Sequence, residues 1–207
     1  MMERNRKLRL LVTTDCPNHC PLCCNNSWDF SKLPSVTSFD YDEVMITGGE
    51  PLLFVDKVVK LARSIKNLSP ILYPEEDAPK IYVYTSIAAY FPIRQLLNVV
   101  DGIVLTPHSK DDVKRFIRLN ERLRMYLAEN PQLKSSLRLN LFKNIKDMLP
   151  EDIDLSIWKV MRPEIVFFIC MLLFLSSIGL VVATFACGYL IGRYTEIDIL
   201  KEIQEGK

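Results

Sequence analysis

The sequence predicts an α/β protein, short parallel strands separated by helices, followed by one transmembrane α-helix. Three observations carry this. Short β-branched and aromatic runs alternate with segments of helical period from residue 7 to about residue 160. A cysteine-rich stretch follows the first run and a glycine pair follows the second, where parallel sheets carry their ligand sites. Finally, Ile165 to Ile191 contains no charged residue, and about 20 apolar residues suffice to cross a bilayer. The expected organisation is a catalytic-size domain over 1–162, a membrane helix over 163–193 and a short polar tail over 194–207.

Leu8 to Thr13 (LRLLVT) reads as the first strand and ends in the cysteine stretch. Residues 25–43 are polar and irregular, with no helical stripe. Val44 to Thr47 (VMIT) is a buried second strand, running into Gly48-Gly49-Glu50-Pro51. Phe54 to Leu68 repeats apolar residues at Val55, Val58, Val59, Ala62, Ile65 and Leu68, the helical period, and Ser69 to Pro79 reads as a loop. Lys80 to Thr85 (KIYVYT) is the third strand, and Pro92 opens a short helix through Val99. Gly102 to Thr106 (GIVLT) is the fourth. Ser109 with Asp112 caps a helix that stops at Asn130-Pro131, with Val113, Phe116, Ile117, Asn120, Leu123 and Leu127 as its inward stripe. Leu137 to Phe142 and Leu155 to Val160 give the fifth and sixth strands; on the fifth, Arg138 and Asn140 alternate with leucines and so share a face. Strands alternating with helices imply right-handed βαβ units.

The 207 residues carry a formal net charge of +1, which gives no electrostatic case for a nucleic-acid partner. Four of the six cysteines crowd into residues 16–24 and two, Cys170 and Cys187, lie in the apolar run, a pattern unlike a secreted disulfide scaffold. The N-terminal MMERNRKLRLLV has a basic start but no apolar stretch of signal-peptide length. Glu164 and Arg193 bound the apolar run, and Tyr189 and Tyr194 suit an interfacial belt. Gly179 and Ala183 form a small-x3-small pair that supports helix association.

The chemistry concentrates in Thr14 to Asn26 (TDCPNHCPLCCNN), where Cys16, Cys20 and Cys23 have the spacing C-x3-C-x2-C. Three thiolates on one loop hold three irons of a cubic iron–sulfur cluster and leave the fourth open; the competing assignment is zinc, with Cys24 or His19 as a further ligand. Gly48-Gly49-Glu50-Pro51 by itself reads as a tight turn. Cys24 is either a redox thiol beside the cysteine triplet or a packing residue.

The two motifs, in this order and at these strand ends, resemble the radical S-adenosylmethionine (radical SAM) enzymes. The resemblance covers residues 7 to about 160 and implies a compact partial (β/α)6 barrel. It further implies that Cys16, Cys20 and Cys23 bind a 4Fe-4S cluster, whose open iron takes the amino and carboxylate groups of S-adenosyl-L-methionine (SAM). Reductive cleavage of SAM then yields a 5′-deoxyadenosyl radical that abstracts hydrogen from a substrate. Gly48, Gly49 and Glu50 are implied to receive the methionine amino group, with Pro51 starting the next helix. Leu22 stands where the family commonly has an aromatic residue near the adenine. Ser86, beside Thr85, is placed to reach SAM or to form a turn. His108, near Thr106 and Ser109, either meets the ribose or caps a helix, and Arg138 pairs either with the SAM carboxylate or with a neighbouring acid. The family usually has a full helix between the cysteine loop and the second strand. Its absence over 25–43 implies either an open mouth, suited to a peptide or protein substrate, or a lid anchored by Trp28, Phe30 and Phe39. The resemblance also implies a cytosolic low-potential electron donor of flavodoxin or ferredoxin type, hence a single-pass membrane protein with its catalytic domain in the cytosol. A different class of function, a non-catalytic membrane adaptor retaining the metal-binding barrel, fits the same residues.

Overall fold

The computed structural model describes residues 6–18, 20, 23–27, 29–72 and 78–161. Its strands are β1 (Lys7–Leu11), β2 (Glu43–Thr47), β3 (Lys80–Thr85), β4 (Gly102–Leu105), β5 (Ser136–Asn140) and β6 (Lys159–Met161). They form one six-stranded sheet in sequence order, every neighbouring pair parallel. The helices are α1 (Val55–Leu72), α2 (Tyr90–Leu96), α3 (Lys110–Glu129) and the single turn α4 (Lys143–Lys146). Right-handed crossovers that always step in the same direction put the connecting helices on one face of the sheet.

That face is the core. Val44, Ile46, Ile81, Val83, Ile103, Leu105, Leu137 and Leu139 pack on Val58, Ala62 and Ile65 of α1, Ile93 and Leu96 of α2, and Val113, Phe116 and Leu123 of α3. The residues between them on the strands point to the opposite face, which is polar: Lys7, Arg9, Glu43, Tyr82, Tyr84, Arg138 and Asn140 belong to it. Arg138 and Asn140 therefore share a face, as the alternation on the fifth strand predicts.

Several boundaries differ from the sequence reading. Helix α1 begins after a 3-10 turn, Pro51–Phe54, and runs to Leu72, past Pro70, into the segment expected to be loop. The proline costs the carbonyl of Lys66 its donor, but only at the last turn, where the helix is already ending. Helix α2 opens at Tyr90, two residues before Pro92, because a proline in the first turn removes an N–H that has no helical partner anyway. Helix α3 has the expected bounds and a capping box between Ser109 and Asp112. Its buried stripe includes Leu119, while Ile117 and Leu127 are only partly buried. Strand β6 starts four residues later than expected. An Asx turn, with the Ser156 N–H on Asp154 Oδ1 at 2.8 Å, and a Trp158 N–H bond to Leu155 O at 2.8 Å, fold residues 154–158 into a turn instead. Between β1 and β2 only the 3-10 turns Cys24–Ser27 and Phe30–Lys32 occur among the described residues, and Phe39 and Tyr41 pack against the core.

Asn120, the polar interruption in the α3 stripe, is 2% exposed and bonded at both ends of its amide. Its Nδ2 donates to Asp154 O at 2.9 Å, and its Oδ1 accepts from Trp158 Nε1 at 2.9 Å. Trp158 in turn meets Phe116 edge to face, with centroids 5.4 Å apart. This polar clip fastens the edge strand β6 to α3.

The expected membrane span over 163–193 and the tail lie outside the described residues, as do Cys170 and Cys187. Among the described residues no helix is long and apolar enough to cross a membrane.

The clip gives a stability prediction. Asn120→Leu removes both bonds and strands the Trp158 N–H, so unfolding free energy in urea falls by about 2–3 kcal/mol. Because the two side chains share one bond, the double variant Asn120→Leu/Trp158→Phe loses less than the sum of the single losses.

Candidate functional site

The carboxyl ends of the strands gather the residues singled out in the sequence. The ladder between β1 and β2 does not stop with the strands. Val12 N–H bonds Thr47 O at 3.1 Å, Gly49 N–H bonds Thr13 O at 2.6 Å, and Glu50 N–H bonds Asp15 O at 2.7 Å. The backbone leading into Cys16 thus runs alongside the glycine pair.

This apposition explains the glycines. A Cβ on Gly49 would lie 2.1 Å from the Asp15 carbonyl oxygen, and one on Gly48 would lie 2.3 Å from that of Thr13. Gly48 also has φ of +139°, a conformation that side chains other than hydrogen rarely adopt. The close approach seen at both positions is to the cysteine loop. Asn25 adds a clamp from the far side of the loop, donating from Nδ2 to Gly48 O at 2.6 Å.

Glu50 is 1% exposed and holds three segments together. Its Oε1 accepts from Leu52 N–H (3.1 Å) and Thr85 Oγ1 (2.6 Å), and its Oε2 accepts from Ser86 N–H (2.8 Å) and Ser86 Oγ (2.7 Å). Four donors occupy the roughly four lone-pair directions of a carboxylate. Glu50 is also the N-cap of the turn that Pro51 begins. Ser86 is saturated as well, since its Oγ accepts from Asn18 Nδ2 at 2.9 Å. The chain Asn18–Ser86–Glu50 therefore links the cysteine loop, the end of β3 and the end of β2.

Cys16, Cys20 and Cys23 are free thiols of intermediate exposure. Burial raises the Cys16 thiol above its usual value, and the Glu50 carboxylate and Cys23 add to this against a backbone hydrogen bond at Asn18. Cys20 is raised by burial first, then by Cys23, Cys16 and Asp112. His108, at the end of β4, is pushed down by desolvation, opposed by Asp112 and Glu50. The six groups thus lie in one electrostatic neighbourhood. The His108 ring stands 6.3 Å from Phe142, centroid to centroid, while its backbone N–H bonds Asp112 Oδ2 at 3.1 Å.

Among the described residues no three His, Cys, Asp or Glu side chains converge on the single point that one metal ion needs. A cubic cluster asks something else of its ligands, one thiolate per iron. The donor set suits it: three unpaired thiols on one loop, each within the field of another, against a backbone fixed by the glycine pair.

Of the predicted site residues, Cys16, Cys20, Cys23, Gly48, Gly49, Glu50, Pro51, Ser86 and His108 come together at this end of the sheet. Arg138 does not join them. Its guanidinium lies 4.3 Å over the Tyr82 ring, on the polar face of the sheet. Leu22, His19 and Trp28 lie outside the described residues. Asn18 and Asn25 were not singled out in the sequence; nothing distinguishes them from loop asparagines until their partners Ser86 and Gly48 are known.

Comparison with protein-family models and with curated proteins gives no match for this chain.

The loop apposition is testable without any cofactor. Gly49→Ala overpacks it and is expected to cost about 1–3 kcal/mol. Glu50→Gln turns an amide N–H₂ toward groups that donate and is expected to cost about 2–3 kcal/mol. Both variants should raise the alkylation rate of Cys16 and Cys20; rates equal to wild type would show that the glycine loop does not hold the cysteines.

Proposed function

We propose that the chain is a membrane-anchored radical SAM enzyme whose domain over 1–162 is a partial (β/α)6 barrel facing the cytosol. The observation that carries this is the seating of Cys16, Cys20 and Cys23 at the carboxyl end of β1, hydrogen-bonded through their loop to Gly48-Gly49-Glu50. The barrel is supported by strand order, by helices kept to one face, and by the burial of Met45 (1% exposed) and Val104 (3%) on the other. The anchor is the uncharged run Ile165 to Ile191.

In this reading Cys16, Cys20 and Cys23 hold a 4Fe-4S cluster. Held by these three thiolates, such a cluster would supply the electron that reductively cleaves SAM and so initiates hydrogen abstraction from substrate. The protein's part is positional. The backbone contacts from Thr13 and Asp15 to Gly49 and Glu50 set the height of the cysteine loop. With its carboxylate occupied by Thr85, Ser86 and Leu52, Glu50 serves the SAM site by shaping its wall. An ammonium group at this wall would be met by backbone carbonyls of the glycine loop, or would displace one of those donors. His108 and Asp112 border the thiols from the end of β4.

Anaerobic reconstitution with iron and sulfide tests the proposal. The wild-type chain should take up about four irons and about four sulfides and, with dithionite, convert SAM to 5′-deoxyadenosine. Cys20→Ala should abolish both, whereas Cys24→Ala should leave iron content near wild type. Full SAM cleavage by Cys20→Ala would overturn the assignment. One zinc per chain with no sulfide would instead favour a non-catalytic membrane adaptor.

A further inference from the structure

The strand residues of the polar face carry more positive than negative charge. Register places Lys7, Glu43 and Lys80 in one row across β1, β2 and β3. Arg9, Met45, Tyr82, Gly102 and Ser136 form the next. Tyr84, Val104, Arg138 and Lys159 form the third. Five cationic side chains thus share this face with a single carboxylate, in a chain whose formal net charge is only +1. The carboxylate is committed to Lys7, at 3.6 Å. Arg9 reaches Asn25 Oδ1 at 3.5 Å.

Arg138 differs from these. Among the described residues its guanidinium meets no carboxylate, and its Nε is buried without a hydrogen-bond acceptor. Leaving a buried donor unpaired costs about 1–3 kcal/mol, more when charged. The group is nonetheless held in place, on a platform of its own. Gly102 has no side chain, and a Cβ there would stand 2.6 Å from Tyr82 Cε1. The Tyr82 ring therefore lies across the sheet at Gly102, and Arg138 covers it at 4.3 Å. With Nε buried, Nη1 and Nη2 are the groups of the fork left to meet two oxygens of a carboxylate or phosphate.

We propose that this face binds the oxyanion, carboxylate or phosphate, of a small acidic substrate, with Arg138 as its anchor and Tyr82 as its platform. The excess of positive charge among the strand residues of this face also draws such a molecule in. As an anion site the proposal stands independently of any cluster; as a substrate subsite it rests on the enzymatic reading above. SAM carries a carboxylate too. The guanidinium lies over Tyr82, two positions before Tyr84 on β3, and on that ground the oxyanion is assigned to substrate and not to SAM.

The experiment follows the Arg138 Nε–Hε resonance of the full chain in detergent micelles, without cluster, during titration with succinate and with inorganic phosphate against a chloride control. A saturable shift in roughly the millimolar range is expected, lost in Arg138→Met by the companion calorimetric titration and weakened several-fold in Arg138→Lys, which keeps the charge without the fork. A shift that is linear and equal for chloride would overturn the site. After reconstitution, SAM affinity of Arg138→Met should stay within about twofold of wild type. A loss of tenfold or more, worth about 1.4 kcal/mol, would assign the oxyanion to SAM and overturn the substrate subsite. Failure to take up a cluster would bear on the enzymatic reading alone and leave the anion titration intact.

Discussion

Everything at the functional end of this protein depends on two stretches of backbone approaching each other with no side chain between them. Gly49 N–H on Thr13 O and Glu50 N–H on Asp15 O continue the β1–β2 ladder past the last strand residues. The contact is possible only because positions 48 and 49 lack a Cβ. From it the remaining geometry follows. It fixes where the chain enters Cys16, and it turns Glu50 inward, away from water. There the Glu50 carboxylate collects Leu52, Thr85 and Ser86. One contact thereby joins the ends of β1, β2 and β3, and through Asn18 the cysteine loop is tied to Ser86 as well.

The strand order carries a second consequence. Because the sheet is wound in one direction only, the helices pack on one face, and the other carries polar residues beside the buried Met45 and Val104. Polar residues are then tolerated within strands, and β5 reads Ser-Leu-Arg-Leu-Asn accordingly. A doubly wound sheet, covered on both faces, would have required continuous apolar runs instead.

Most of the fold was legible in the sequence because period and capping carry it. KIYVYT gave β3 with its observed bounds, and Ser109 with Asp112 gave both the start and the box of α3. Boundaries failed where a side-chain turn outweighed strand propensity. LSIWKV has good strand character, yet Asp154 accepts from Ser156 and folds the chain so that Trp158 reaches Asn120. At the site, the cysteines and glycines were visible as residue types at a spacing. Their reasons were not. The nearest neighbours of the glycines are Thr13 and Asp15 of the chain itself, which the spacing alone does not show. Glu50 looked like a free acceptor, and only the fold shows its four donors. Such occupancy is a property of contacts distant in sequence, here 35 and 36 residues away at Thr85 and Ser86.

The same contrast separates the two readings of the polar face. Lys7 and Arg9 are explained by partners within the chain, Glu43 and Asn25. A scaffold that needed only to fold would treat Arg138 likewise, because an acceptor for its Nε recovers the cost of burial. Methionine at the same place would fill a similar volume without that cost. Yet the site keeps both the cation and the glycine that lets Tyr82 lie beneath it, and stacking alone returns only about 0.5–2 kcal/mol. With Nε buried, the Nη1 and Nη2 groups of the fork are the ones an anion from outside would meet. On the proposed enzymatic reading, a cation fixed in this way on the sheet is placed to orient a small acidic molecule.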